Sequence, residues 1–317
     1  MRYSRQIIFD KIGENGQMLL SNSTVSIVGV GALGSASAEM LARSGIGKLI
    51  LIDRDLVEVS NLQRQSLYSE KDIDEPKVFA AQKALNEINS EVKIKTFFVD
   101  LDYDNINSIN SDLILDCTDN FYTRFLINDY SLKNNIPWIY AAVIGATGTT
   151  FNIIPGSTCL GCIAKEPTSI IGTCDSEGIL ATTPHSIASI QVTEAIKILT
   201  RQNFNKPLVH YDVWNNKFTK LKVSKNPKCN PCNNIFDYLS GKKSSNVTKL
   251  CGSSSYQFRI SSSDIDNLSR KLSKIGSLRV TPYCLFFNDI TIFKSGRIVI
   301  KAESTSKAKS IFTKYIT

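Results

Sequence analysis

A chain of 317 residues, 42% hydrophobic and 21% charged, has the composition of a soluble globular protein and is long enough for one large domain plus something smaller. No apolar run approaches the ~20 residues that span a bilayer, and Arg2, Arg5 and Asp10 interrupt the start before a signal-peptide core can form, so a cytoplasmic protein with no membrane partner is expected. The formal net charge of +8 could serve a nucleic acid, an acidic protein or a polyphosphate, but the lysines are scattered and thickest in the last quarter, without interleaved aromatics. That pattern predicts a solvated basic surface and no nucleic-acid partner.

Residues 11–21 read as a short helix and turn, and TVSIVGV as an apolar strand of the kind buried in a parallel sheet. GALGSASAEMLARSG follows as turn then helix, with small residues on the face that must approach the strand, and KLILID is the next strand. The alternation continues through a helix at 76–89, strands at 92–99 and 112–117, a helix at 121–134 and a strand at 137–143. This predicts a doubly wound, Rossmann-like, mostly parallel α/β sheet. GTTFNIIP, a helix at 186–200 and a hairpin at 208–223 around Asn215-Asn216 predict an antiparallel extension. SGKKSSN, 240–246, is the best linker candidate, dividing a main domain, 1–240, from a small α+β module, 247–317. In that module helices are expected near 264–275 and 305–315 and strands at 283–293 and 296–301.

Gly29-Val30-Gly31-Ala32-Leu33-Gly34 follows a strand and opens a helix, where glycines let phosphates approach backbone N–H groups. Asp53 ends the next strand, in position for ribose hydroxyls; alone, the pair favours an NAD-dependent oxidoreductase. Arg5, Arg64 and Lys77 pull the reading toward a triphosphate, which needs several cations where a dinucleotide needs few. Each could be a surface salt bridge taken singly. DCTDN, 116–120, ends a strand at the same carboxyl edge and places Asp119 where Mg²⁺ could be held against phosphates. Ser60 is the expected cap of the segment presenting Asn61 and Arg64.

Cys159-x-x-Cys162 and Cys229-x-x-Cys232 suit four thiolates around tetrahedral Zn²⁺, with redox pairs the weaker reading. A closed site of this kind would pin a long segment and do no chemistry. Cys174, in GTCDSEGIL, is either a buried inert thiol or an exposed one; its polar neighbours suit exposure, and the residues alone leave open whether it is a nucleophile. Cys117 reads as packing, and His185 and His210 as structural.

RYSRQ, GVGALG, LIDRD, SNLQRQ, PKVFAAQ, DCTDN, the two C-x-x-C pairs and TCDSEGIL, in this order, resemble the ThiF/MoeB/HesA family of ubiquitin-activating-enzyme-like adenylyltransferases, from Arg2 to about Cys232. The resemblance implies a homodimer that uses ATP and Mg²⁺ to adenylate the C-terminal glycine carboxylate of a small ubiquitin-fold sulfur carrier ending in Gly-Gly. Thiocarboxylate formation for thiamin-thiazole or molybdopterin biosynthesis would follow, with a sulfur donor such as a cysteine desulfurase or rhodanese. Its implied nucleotide site is Gly29, Gly31, Ala32, Gly34, Asp53, Asp55, Ser60, Asn61, Arg64, Lys77, Asp119 and Asn120. Asp119 would hold Mg²⁺, and Arg5 would reach into the partner subunit. The four paired cysteines would bind zinc, and the loop carrying Cys174, a possible sulfur-transfer nucleophile, would cross the carrier's tail. Ala32 stands where the family commonly has glycine, and residues 246–317 match weakly a tail that some members carry. Adenylation of a peptide carboxylate in a peptide-modification pathway is the alternative within the same chemistry.

Overall fold

The computed structural model describes residues 2–165, 177–243, 248–249, 255–260 and 264–316, and divides into two compact units, Met1–Lys242 and Lys243–Thr317. Cys174 and Cys251 lie outside the described residues.

The first unit is built on an eight-stranded sheet in the order β3-β2-β1-β4-β5-β6-β7-β8. Strands β1 (Thr24–Val28), β2 (Lys48–Asp53), β3 (Lys93–Phe98), β4 (Leu113–Asp116) and β5 (Trp138–Ile144) run parallel. Strands β6 (Thr147–Ile153), β7 (Leu208–Asp212) and β8 (Lys217–Leu221) continue the sheet antiparallel. The apolar runs of β1 and β2 reflect burial on both faces. Leu49 and Leu51 enter one core cluster with Val25 and Ile27, while Ile50 and Ile52 enter the other with Val28. Helices α3 (Ala32–Arg43), α4 (Lys77–Ile88) and α7 (Thr182–Leu199) cover the first face, and α5 (Phe121–Asn134) covers the second. Short helices α1 (Ser4–Ile7) and α2 (Gly13–Asn22) precede β1, and α6 (Leu160–Ile163) follows β6.

Helix α7 begins four residues before the expected 186, because Pro184 falls in its first turn, where a missing N–H breaks no intrahelical bond. Gln191 ties this helix to the sheet. Its Nε2 donates to the carbonyls of Asp116 and Ile139, and its Oε1 accepts from Ser37 Oγ.

The second unit is a six-stranded sheet in the order β11-β12-β13-β14-β10-β9, with α8 (Ile265–Leu272) and α9 (Thr305–Tyr315) contributing to its core. The expected strand at 283–293 is instead two, β12 (Cys284–Phe287) and β13 (Ile290–Phe293), folded back at Asn288 with φ +50°. Asn tolerates the left-handed region, and the apolar pattern alone does not mark the reversal. Strands β9 (Thr248–Lys249), β10 (Ser255–Arg259) and β11 (Arg279–Val280) carry no strand expectation from the sequence, while β14 (Arg297–Lys301) does.

Candidate active site

The strand order reverses direction at β1, which lies between β2 and β4, so the loops leaving β1 and β4 diverge and open a crevice at the carboxyl edge. Gly29 sits at that divergence with φ +85°, and a Cβ there would lie 2.6 Å from the Cys117 carbonyl oxygen. Gly34 is held more tightly still: its Cβ would meet the Gly29 carbonyl oxygen at 1.9 Å. Gly31 differs, since a Cβ would enter open space with Gln65 Nε2 as the nearest atom at 3.8 Å. Gly31 is also the N-cap of α3, which has no side-chain cap. A cradle that a single methyl would occupy, in front of uncapped helix N–H groups, fits a phosphate.

This contrast gives a paired prediction. Gly34→Ala should lower stability by ~1–3 kcal/mol, because the backbone must shift to admit the methyl. Gly31→Ala should leave melting unchanged but weaken ATP binding at least tenfold in a calorimetric titration; equal ATP affinity for Gly31→Ala and the parent would remove Gly31 from the phosphate path.

Asp53 is buried and braces the glycine turn. Its Oδ2 accepts from Val30 N–H at 2.6 Å and its Oδ1 from Asp55 N–H at 2.7 Å, leaving each oxygen a further lone pair for a ribose hydroxyl. Burial pushes its carboxyl above the ordinary aspartate value, against the Lys77 ammonium and these two N–H donors. Tyr68 Oη donates to the Val30 carbonyl at 2.7 Å and closes the turn from the other side.

Lys77 opens α4, with its backbone N–H on the Asp55 carbonyl at 3.0 Å and its Nζ 3.8 Å from Asp55 Oδ2. Burial works against its ammonium, yet Asp53, Asp55, Asp119 and Glu58 outweigh that and raise its pKa. Asp55 is the carboxylate within ion-pair distance of this lysine among the described residues. Arg54, 2.9 Å from Asp100 Oδ1, belongs to the same network through Asp55 and Asp119.

SNLQRQ forms a short 3-10 turn, Val59–Asn61. Ser60 is not its cap. Glu58 occupies that position in a reciprocal box with Asn61, whose Oδ1 accepts from Glu58 N–H at 3.2 Å. Arg64 Nη1 donates to the Ser60 carbonyl at 2.8 Å, which holds the guanidinium within its own loop.

Asp119 is exposed after β4, its Oδ1 met only by Asn120 Nδ2 at 3.5 Å and with no ion pair among the described residues. An open carboxylate at this edge fits a hard divalent cation. Asn120 is committed locally, because its Oδ1 caps α5 by accepting from Thr123 N–H at 2.9 Å. The sequence reading missed the device that fixes this loop. Arg124, one turn into α5, is buried between the Phe121 and Tyr140 rings, donates from Nη2 to the Thr118 carbonyl at 2.6 Å, and lies 3.4 Å from Asp116 Oδ2. Its place four residues after Asn120 was the available signal. Arg5 is exposed on α1, without a side-chain hydrogen bond or ion pair among the described residues.

The Cys159, Cys162, Cys229 and Cys232 sulfurs lie within 4.8 Å of one another, with Cys159 3.5 Å from both Cys229 and Cys232. Tetrahedral Zn–S bonds of ~2.3 Å require sulfur separations near ~3.8 Å, so this donor set fits a closed four-thiolate metal site. Adjacent residues of α5 fasten both sides of it. Asn128 Oδ1 accepts from Leu160 N–H at 2.9 Å, and Asp129 Oδ2 accepts from Tyr238 N–H at 3.0 Å.

Burial pushes the Asp129 carboxyl from 3.8 up to about 7, against the N–H donors of Tyr238 and Leu239. The folded chain holds this proton to higher pH than the unfolded chain does. Its contribution is therefore full below the ordinary aspartate value, declines as pH rises, and is gone above about 7. Asp129→Asn keeps the acceptor, so its stability relative to the parent should rise by up to ~4 kcal/mol between pH 4 and 7 in denaturant titrations. A pH-independent difference would show that Asp129 is ionised throughout.

A cleft of about 470 Å³ opens elsewhere, beside β6–β8 and α7, lined by Asn152, Glu194, Lys197 and Phe218 and by none of the residues singled out above.

A phosphate-shaped turn, a buried lysine beside Asp55 and a four-thiolate cluster, all on a doubly wound sheet, define a nucleotide-handling α/β enzyme. The sequence model of the ThiF family matches residues 3–231, and the chain belongs to that family. It is 37% identical, over 99% of both chains, to the sulfur carrier protein ThiS adenylyltransferase of Bacillus subtilis. It is also 37% identical to the molybdopterin-synthase adenylyltransferase of Escherichia coli, over 73% of this chain and 96% of that protein. Among solved structures, E. coli MccB with ATP superposes with a TM-score of 0.67 at 25% identity, covering 73% of each chain.

Proposed function

We propose that this enzyme adenylates the C-terminal glycine carboxylate of a small ubiquitin-fold sulfur carrier, consuming ATP and releasing pyrophosphate before thiocarboxylate formation. The observation that carries the reading is Lys77 Nζ 3.8 Å from Asp55 Oδ2, with Asp53 bound to Val30 N–H next to the open face of Gly31. A carboxylate attacking an α-phosphate meets anionic repulsion, so the site must neutralise charge and hold the reactants in line rather than move protons through a triad. Gly31 and the uncapped start of α3 would receive phosphate, Asp53 the ribose, and Arg64, Asn61 and Lys77 the remaining phosphate oxygens. Bound at Asp119, Mg²⁺ would neutralise the triphosphate. Arg124 would keep that carboxylate in place by anchoring the Thr118 carbonyl. The four cysteines would hold zinc as a staple, and Arg5, lacking a partner in its own described chain, would serve the site of a second copy.

Similarity along the whole chain to the B. subtilis enzyme favours the thiamin-thiazole branch. The likeness to MccB bears on the fold and leaves a peptide carboxylate as the second acceptor to test. ATP–pyrophosphate exchange should depend on a carrier ending in Gly-Gly, and Arg64→Ala should lower kcat/KM about 10²-fold through lost charge stabilisation. Exchange supported equally by an unrelated peptide carboxylate would replace the carrier with that peptide.

A further inference from the structure

The second unit, 243–317, holds 13 of the 37 Lys and Arg but 4 of the 29 Asp and Glu, so the whole positive surplus of the chain lies there. Its two helices carry part of that charge. Helix α8 buries Ile265, Leu268 and Leu272 and exposes Arg270 and Lys271, with Lys274 exposed just beyond its end. Helix α9 buries Ala308 and packs Ile311 and Phe312 inward, while Lys307, Lys309 and Lys314 are exposed. Both helices cover the same sheet face, since their apolar residues share a cluster with Tyr256, Phe258, Phe287, Ile298 and Ile300. Phe258 stacks on Phe312 with centroids 4.5 Å apart. Lys271, Lys274, Lys307 and Lys309 form no ion pair among the described residues. Lys271 and Lys314 suit the C-terminal ends of their helices, but Lys307 in the first turn of α9 opposes its dipole and the like charges repel, so folding alone does not account for this layer.

We propose that the outer face of α8 and α9 is a docking surface for an acidic face of the carrier protein, an inference that rests on the carrier-adenylation reading. The chemistry favours protein over nucleic acid. The two helices carry a single arginine, the fork-shaped phosphate binder: Arg270, exposed and tied to Asn267 on the same helix at 2.7 Å, while their other cations are lysines. Among the described residues of this unit the exposed large apolar side chains are Ile275 and Val280, neither of which can stack a base. Exposed lysines remain, and such point charges steer association more than they grip.

The test uses the full chain and a variant carrying Lys271, Lys274, Lys307, Lys309 and Lys314→Gln. With a ThiS-type carrier at low salt, the variant should show a roughly tenfold higher carrier KM at unchanged kcat, a difference that disappears near ~0.5 M salt. Equal KM values at low salt overturn the proposal. A poly-glutamate peptide supplies a readout without turnover: the parent should bind it at least tenfold more tightly than the variant, and equal affinity also overturns the surface. Tighter lysine-dependent binding of a uridine oligonucleotide, with carrier KM unchanged, assigns the face to nucleic acid instead. Absence of exchange by the parent, with lysine-dependent peptide binding intact, sinks the adenylation reading and separates the two.

Discussion

Asp119→Ala should abolish carrier-dependent ATP–pyrophosphate exchange, lowering the rate at least ~10³-fold, the scale expected when the charge clamp on a transferring phosphoryl group is lost. The loss should fall on chemistry rather than on folding. Asp119 is exposed and makes no ion pair among the described residues, whereas Arg124 holds the loop by its Thr118 carbonyl. The melting temperature should therefore stay within a degree or two of the parent, and ATP binding without Mg²⁺ should persist. Asp119→Asn, which keeps the size and loses the charge, should be nearly as inactive. Exchange undiminished in Asp119→Ala would sink the magnesium assignment and move attention to Asp53 and Asp55.

The second large effect concerns stability. Cys159 is fully buried and 3.5 Å from two of its three companions, so Cys159→Ser removes the central donor of the cluster. The metal should be lost from the purified protein, measured by elemental analysis as zinc falling from near one equivalent per chain to near zero. Structural zinc contributes on the order of 10 kcal/mol where a small fold depends on it wholly. Here one apolar cluster of the sheet, around Leu41, Leu49 and Ile139, contains none of the four cysteines, so a loss of ~4 kcal/mol and a fall in Tm of roughly 8–16 °C is expected. Parent protein without stoichiometric zinc, or a Cys159→Ser protein that retains it, would falsify the assignment. Four thiolates complete a tetrahedron and leave no open position, so the residual folded variant should adenylate at close to the normal rate.

The Lys77 ammonium and the cysteine sulfurs illustrate two degrees of legibility. The C-x-x-C pairs are separated by a long stretch of chain, yet their spacing announced a shared four-thiolate cluster because only a few geometries use two such pairs. The glycine turn was equally legible, but GVGALG is common to dinucleotide and triphosphate sites and could not choose between them. Arg5, Arg64, Lys77 and Asp119 jointly pointed to a triphosphate, but that Lys77 is buried 3.8 Å from Asp55 depends on the fold.

What was illegible had a common cause. Arg124 drew no reading from the sequence, and its burial between Phe121 and Tyr140 depends on β5 lying beside β4. Nor did Asn128 and Asp129, whose grip on Leu160 and Tyr238 depends on where distant segments return. Ser60 looked like a cap, and the backbone chose Glu58 with Asn61 instead. Local periodicity determined the strands and the long helices of the first unit, because 2.0 and 3.6 residue repeats are properties of the chain itself, while the short strands β9 and β11 and the reversal at Asn288 left no such pattern. Long-range placement decided which charges are buried together, which carboxylate stays open, and that the lysines of α8 and α9 lie over one sheet face. Those outcomes follow from desolvation and packing between segments far apart in sequence, which no window along the chain contains.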